Sequence, residues 1–208
     1  SISRSVFESN RNMPENGEND FKVLKKKYAK GIELRGKTLG IIGFGRIGQN
    51  TAKYALGAGM NILAYDPFME KASIEMDIAG QKMEVTIDTT SMEELLSNSD
   101  FISLHVPMPK DGNAIIGNNE FEKMKDGVRI VNAARGGVID EKALINALHS
   151  NKVSFAALDV FVGEPKPSKE LLNNEKISLT PHIGAATLEA QDRIGEELAE
   201  KIINFYKK

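Results

Sequence analysis

The chain has 208 residues, enough to bury a sizeable core in one domain, and its 41% hydrophobic and 27% charged residues are those of a folded globular protein. A net charge of −2 gives no basic footprint for nucleic acid and no polybasic patch for a membrane surface, and no run of 18 apolar residues is present to span a bilayer. The lack of cysteine excludes disulfides and thiolate chemistry and fits a cytoplasmic protein, while three histidines far apart in sequence suggest no metal site.

Residues 1–36 differ from the rest. "ESNRNMPENGEND" is polar and rich in turn formers, and "LKKKYAKG" carries a lysine run, so a solvated connecting arm is expected. From Lys37 onward short apolar runs recur: "TLGIIGF" (38–44), "NILAY" (61–65), "FISLHV" (101–106), "VRIVNAA" (128–134), "SFAALDV" (154–160) and "KISLT" (176–180), with "MEVTI" (83–87) as a weaker candidate. They are continuous rather than alternating, which suits strands buried on both faces of a parallel sheet. Helical stretches separate them. "SMEELLSN" opens on a capping box of Ser91 and Glu94, and "DEKALINALH" on Asp140 at the N-cap. Strand and helix in alternation predict a doubly wound α/β domain over residues 37–187. Residues 188–208 follow as an amphipathic helix capped by Thr187. Its Leu188, Ile194, Leu198, Ile202 and Tyr206 are expected to face the core.

The first strand runs into Gly43-x-Gly45-x-x-Gly48, a helix follows, and the second strand ends in Asp66. Together these make the dinucleotide fingerprint. Gly43 permits the tight turn, Gly45 lets the backbone approach a pyrophosphate, and Gly48 lets the helix pack close. The amides of Arg46 and Ile47 then point at the phosphates from the positive end of a helix. Asp66 accepts hydrogen bonds from the ribose hydroxyls and repels a 2′-phosphate, so NAD is favoured over NADP.

In doubly wound sheets ligands bind beyond the carboxyl ends of the strands. Three polar groups emerge there: Arg135 past one strand, Asp159 and Glu164 past the next, and His182 past the last. Histidine can exchange a proton at neutral pH, a carboxylate can orient its ring, and arginine offers a planar fork for a substrate carboxylate. His182 is thus expected to be a general acid/base held by Glu164, with a hydroxy acid as substrate.

These stretches, with "NAARGGVIDEKAL", "AALDVFVGEP" and "TPHIGAATLEAQDRIGEELA", resemble the D-isomer-specific 2-hydroxyacid dehydrogenases from about Gly36 to the C-terminus. The resemblance implies that Arg135, Glu164 and His182 are catalytic. It also implies that Asp159 meets the nicotinamide carboxamide and that Val106, Pro107, Ala133, Ala134, Arg135, His182, Gly184 and Ala185 line the cofactor. His105 is implied to be structural. Within the family the last stretch is most similar to the D-3-phosphoglycerate dehydrogenase branch, whereas the formate dehydrogenase branch has glutamine in place of Glu164. The glyoxylate/hydroxypyruvate reductase and D-lactate dehydrogenase branches, or an NAD(H)-sensing binding protein, are the alternatives. Family members also have a substrate-binding domain, and residues 1–36 resemble the arm that embraces a second subunit in a homodimer. The chain, which starts at Ser1 without methionine, is therefore expected to be an isolated cofactor domain with poor turnover.

Overall fold

A computed structural model describes residues 1–207 of the chain. In chain order its elements are α1 (Val6–Tyr28), β1 (Thr38–Ile42), α2 (Arg46–Gly57), β2 (Asn61–Tyr65), β3 (Lys71–Ile78), β4 (Gln81–Asp88), α3 (Met92–Asn98), β5 (Phe101–Leu104), α4 (Asn118–Lys123), β6 (Val128–Asn132), α5 (Glu141–His149), β7 (Val153–Leu158), α6 (Lys169–Leu172), β8 (Ile177–Leu179) and α7 (Leu188–Tyr206). Six strands, one from each strong apolar run, pair in parallel in the order β2-β1-β5-β6-β7-β8. The chain moves outward from β1 to β2, then returns on the far side of β1 as β5. The winding direction therefore reverses at the carboxyl ends of β1 and β5, where such sheets hold their ligands.

Neighbouring residues of β1 serve opposite faces. Ile42 joins a cluster with Leu95, Leu96, Ile102, Leu144 and Leu148, and Ile41 joins another with Ala52, Ala55, Ile74 and Phe101. Ile41, Ile42, Leu144 and Leu148 are at most 1% exposed. Each such side chain stabilises the fold by about 1.5–3 kcal/mol relative to exposure, and together they hold the strand ends rigid beneath the loops.

Four expectations need correction. The N-terminal stretch is helical, interrupted at Asp20 (φ −114°), and folds back on itself. Glu8 meets Lys27 at 2.7 Å, a pair that a straight helix would hold about 28 Å apart. Its start is anchored rather than solvated: Ile2 is buried, its carbonyl accepts from Arg129 Nε (3.1 Å), and Phe7 stacks edge-on against Phe155. Packing on the sheet overrides the turn-forming composition. Secondly, "MEVTI" belongs to β4, which pairs antiparallel with β3 in a hairpin outside the main sheet. The alternation of Ala72, Ile74, Met76 and Ile78, followed by the positive-φ pair Ala79–Gly80, was the overlooked hairpin signal.

The capping box at α3 is half made. Ser91 Oγ accepts from the Glu94 amide (3.1 Å), but the Glu94 carboxylate turns to the nearer Thr90 hydroxyl. Finally, α7 is capped by Thr187 as expected, yet none of its residues is buried. Leu188, Ile194, Leu198, Ile202 and Tyr206 are 50–81% exposed, and an ion pair between Glu197 and Arg46 (3.6 Å) links α7 to α2. Amphipathic spacing says that a face favours burial; it does not say that the partner lies in this fold. Of the terminal residues assigned to this helix, Lys208 lies outside the described residues.

Candidate active site

The glycine loop fills the reversal point. Gly43 has φ +91°, and a Cβ there would lie 2.5 Å from the His105 carbonyl oxygen on the opposite bank. A Cβ on Gly48 would lie 2.2 Å from the Gly43 oxygen, so the first turn of α2 presses directly on the loop. Gly45 is different. It is the N-cap of α2 with an ordinary φ of −71°, and nothing in the protein comes within 4 Å of where its Cβ would be. A bare backbone in open space at a helix N-terminus fits a pyrophosphate, and the amides of Arg46 and Ile47 have no intrahelical acceptor to compete for them.

Asp66, at the end of β2, ties this loop in place. Its Oδ2 accepts the Phe44 amide (2.8 Å) and its Oδ1 the Phe68 amide (2.9 Å). Each oxygen keeps a second lone pair for ribose hydroxyls. Across the crevice Val106 lies against Gly43, and the partly buried ring of His105 pairs with Ser103 Oγ at 2.9 Å. Burial pushes the His105 pKa down to about 4. The unfolded chain, titrating near ~6.5, then binds this proton more tightly than the folded one. The stability due to the neutral ring is thus full above about pH 6.5 and is lost as pH falls towards about 4, by about 3 kcal/mol in all. Denaturant unfolding at pH 7 and 4.5 should show most of that loss, and His105→Asn should shrink it; an equal loss in the variant would exclude this origin.

Three loops gather the polar residues. Buried Asn132 ends β6, where its Oδ1 accepts the Ala134 amide and its Nδ2 donates to the Arg135 carbonyl, each at 3.0 Å. This crossbar shapes the Ala133–Arg135 loop and leaves the Arg135 guanidinium exposed, resting on the Ala134 carbonyl at 2.6 Å. Asn132 escaped notice in the sequence, although a polar residue closing an apolar strand was the available signal.

Asp159, only 6% exposed, follows β7. Its Oδ1 accepts the Thr180 hydroxyl (2.6 Å) and the Ile183 amide (2.9 Å), and its Oδ2 the Gly184 amide (2.7 Å). Burial opposes its ionisation, but these three donors outweigh it and hold the carboxyl below its ordinary value. The residue framed by these bonds is His182, whose φ of +56° is uncommon outside glycine. Asp159 therefore serves the histidine loop first, with one acceptor position left on Oδ2.

His182 Nδ1 lies 2.8 Å from Glu164 Oε2, and Glu164 Oε1 accepts the Phe161 amide at 2.8 Å. The bond from His182, then that from Phe161, keeps the Glu164 carboxyl below its ordinary value. An ionised Glu164 fixes Nδ1 as the donor and turns Nε2 outward. Arg135 makes no direct bond to this pair among the described residues; it sits on the neighbouring loop. Ala133 and Gly184 line a cleft of about 290 Å³ beside Asp159, and a second of about 380 Å³ lies against Glu164 and His182. Pro107 and Ala185 are exposed.

A doubly wound sheet with a glycine cradle at its reversal point and an acidic residue closing β2 defines a dinucleotide-binding domain. The model of the D-isomer specific 2-hydroxyacid dehydrogenase NAD binding domain matches residues 1–184, so the chain belongs to this family and its cofactor is NAD. The match takes in α1 and stops before α7. Among similar proteins, D-3-phosphoglycerate dehydrogenase of Archaeoglobus fulgidus is 47% identical over 88% of this chain and 33% of its own length. Hydroxypyruvate reductase of Thermotoga maritima is 49% identical over 86% of this chain and 56% of its own length. The crystal structure of a glyoxylate reductase from Paecilomyes thermophila superposes with a TM-score of 0.75 at 37% identity, covering 93% of this chain and 55% of that one. The chain thus spans between a third and just over half of these three proteins.

Proposed function

We propose that the protein transfers hydride between NAD(H) and a D-2-hydroxy acid, with D-3-phosphoglycerate oxidised to 3-phosphohydroxypyruvate in L-serine biosynthesis. The observation that carries this reading is the 2.8 Å pair of His182 and Glu164 on the edge where the glycine cradle opens. NAD, when bound, supplies the hydride acceptor. His182 Nε2 takes the hydroxyl proton, and Glu164 stabilises the imidazolium that results. Arg135 grips the substrate carboxylate and polarises the carbonyl in the reverse direction. Asn132 and Asp159 keep the two loops in register. The exposed Val6, Met13, Phe21 and Val23 of α1 support a homodimer formed through this helical arm.

The 47% identity to a phosphoglycerate dehydrogenase supports the phosphorylated substrate; the 49% identity to a hydroxypyruvate reductase favours a second reading with the same residues in the same roles. Comparing kcat/KM for phosphohydroxypyruvate, hydroxypyruvate, glyoxylate and pyruvate with NADH separates them. At least about tenfold preference for the phosphorylated acid is expected. The reverse order would replace phosphoglycerate by hydroxypyruvate, and NADH binding without turnover of any of the four, in a protein that also carries a substrate-binding domain, would point to an NADH-sensing role.

A further inference from the structure

We propose that Glu141, the first residue of α5, is a positioning residue that holds the turn carrying Glu164 so that this carboxylate faces His182; the inference rests on the role proposed for that pair. The turn from Phe161 to Glu164 lies between the Arg135 loop and the His182 loop. Two consecutive amides of it are held by two carboxylates. The Phe161 amide donates to Glu164 Oε1 at 2.8 Å, and the Val162 amide to Glu141 Oε1 at 2.7 Å. The first of these bonds is internal to the turn and cannot fix it relative to anything else. The second ties it to a helix. Gly136 sets its other limit, since a Cβ there would lie 2.0 Å from the Phe161 carbonyl oxygen. The turn is thus set between the loop of Arg135 on one side and α5 on the other, with Glu164 at its end bonded to His182.

Capping α5 does not account for Glu141, because Asp140 already fills that role through the Ala143 amide (2.9 Å). Burial raises the Glu141 pKa, and the bond from the Val162 amide works against that effect. A partly buried carboxylate bonded to the turn that carries Glu164 is placed to fix that turn relative to α5.

The test follows the Glu164 carboxylate by ¹³C titration in this chain, its signal assigned by loss in Glu164→Gln. In Glu141→Ala the midpoint, low in the parent, is expected to rise into the ordinary glutamate range with NADH affinity unchanged. In Glu141→Gln, whose amide oxygen still accepts the Val162 amide, it should stay low. An unchanged midpoint in Glu141→Ala overturns the proposal. Should that variant not fold, amide exchange in the parent chain decides: the Val162 amide, on a half-exposed residue, is expected to exchange at least about tenfold more slowly than that of Gly163. Equal rates overturn the proposal. His182→Ala separates the two levels. If it fails to raise the Glu164 midpoint, the pair itself falls, and the proposed function and the role of Glu141 fall with it.

Discussion

Replacing His182 by asparagine is expected to lower the rate of NADH oxidation by a 2-oxo acid about 10²- to 10⁴-fold, the usual contribution of a positioned acid/base group. Asparagine suits this test for a structural reason. His182 sits at φ +56°, and asparagine tolerates the left-handed region better than any other non-glycine residue, so the loop held by Asp159 should keep its shape. The lost function is then proton transfer and little else. Single-turnover kinetics at saturating NADH would read even a slow chain, and a variant retaining more than about a tenth of the parent rate would remove His182 from the chemistry. Glu164→Gln is expected to have a smaller effect, because it orients and stabilises the imidazolium without taking the proton.

The second large effect concerns cofactor choice. Asp66→Ala is expected to weaken NADH binding by about 10- to 100-fold, the scale of about 1.5–3 kcal/mol for hydrogen bonds to a charged group. Part of that loss belongs to the protein itself, since Asp66 also holds the amides of Phe44 and Phe68 and through them the glycine loop. Asp66→Asn divides the two contributions. It keeps an acceptor for one amide while removing the charge that repels a 2′-phosphate. Calorimetric titration should therefore show NADPH affinity rising in the asparagine variant while NADH affinity falls less than in the alanine variant. Undiminished preference for NADH in both variants would mean that the discrimination lies elsewhere.

Much of this site was legible because its parts are local or periodic. The glycine spacing, the acidic end of β2 and the polar residues at strand ends are consequences of how a parallel sheet presents its carboxyl edge, and each appears within a few residues of a continuous apolar run. The bracing roles were not read from the sequence. Asn132 bonds within its own loop, but Asp159 reaches Ile183 and Gly184, and Glu141 reaches Val162, across intervals that carry no spacing rule. Their roles exist only once β6, β7 and β8 are side by side.

The sequence by itself determined the parallel sheet and the dinucleotide cradle, and it offered Arg135, Glu164 and His182 as candidates, because burial on both strand faces and the needs of a phosphate-binding turn each restrict residue type at short range. The contact of His182 with Glu164 was expected from the sequence, but only the tertiary structure decided where Arg135 stands: on a separate loop joined to that pair through the packing of Gly136 on Phe161. It also decided the fate of the two terminal segments. α1 folded back and anchored its first residues on the sheet, whereas α7 kept its apolar stripe exposed. Spacing tells a segment which face to bury, but whether that face finds a partner depends on the shape and area of the rest of the fold.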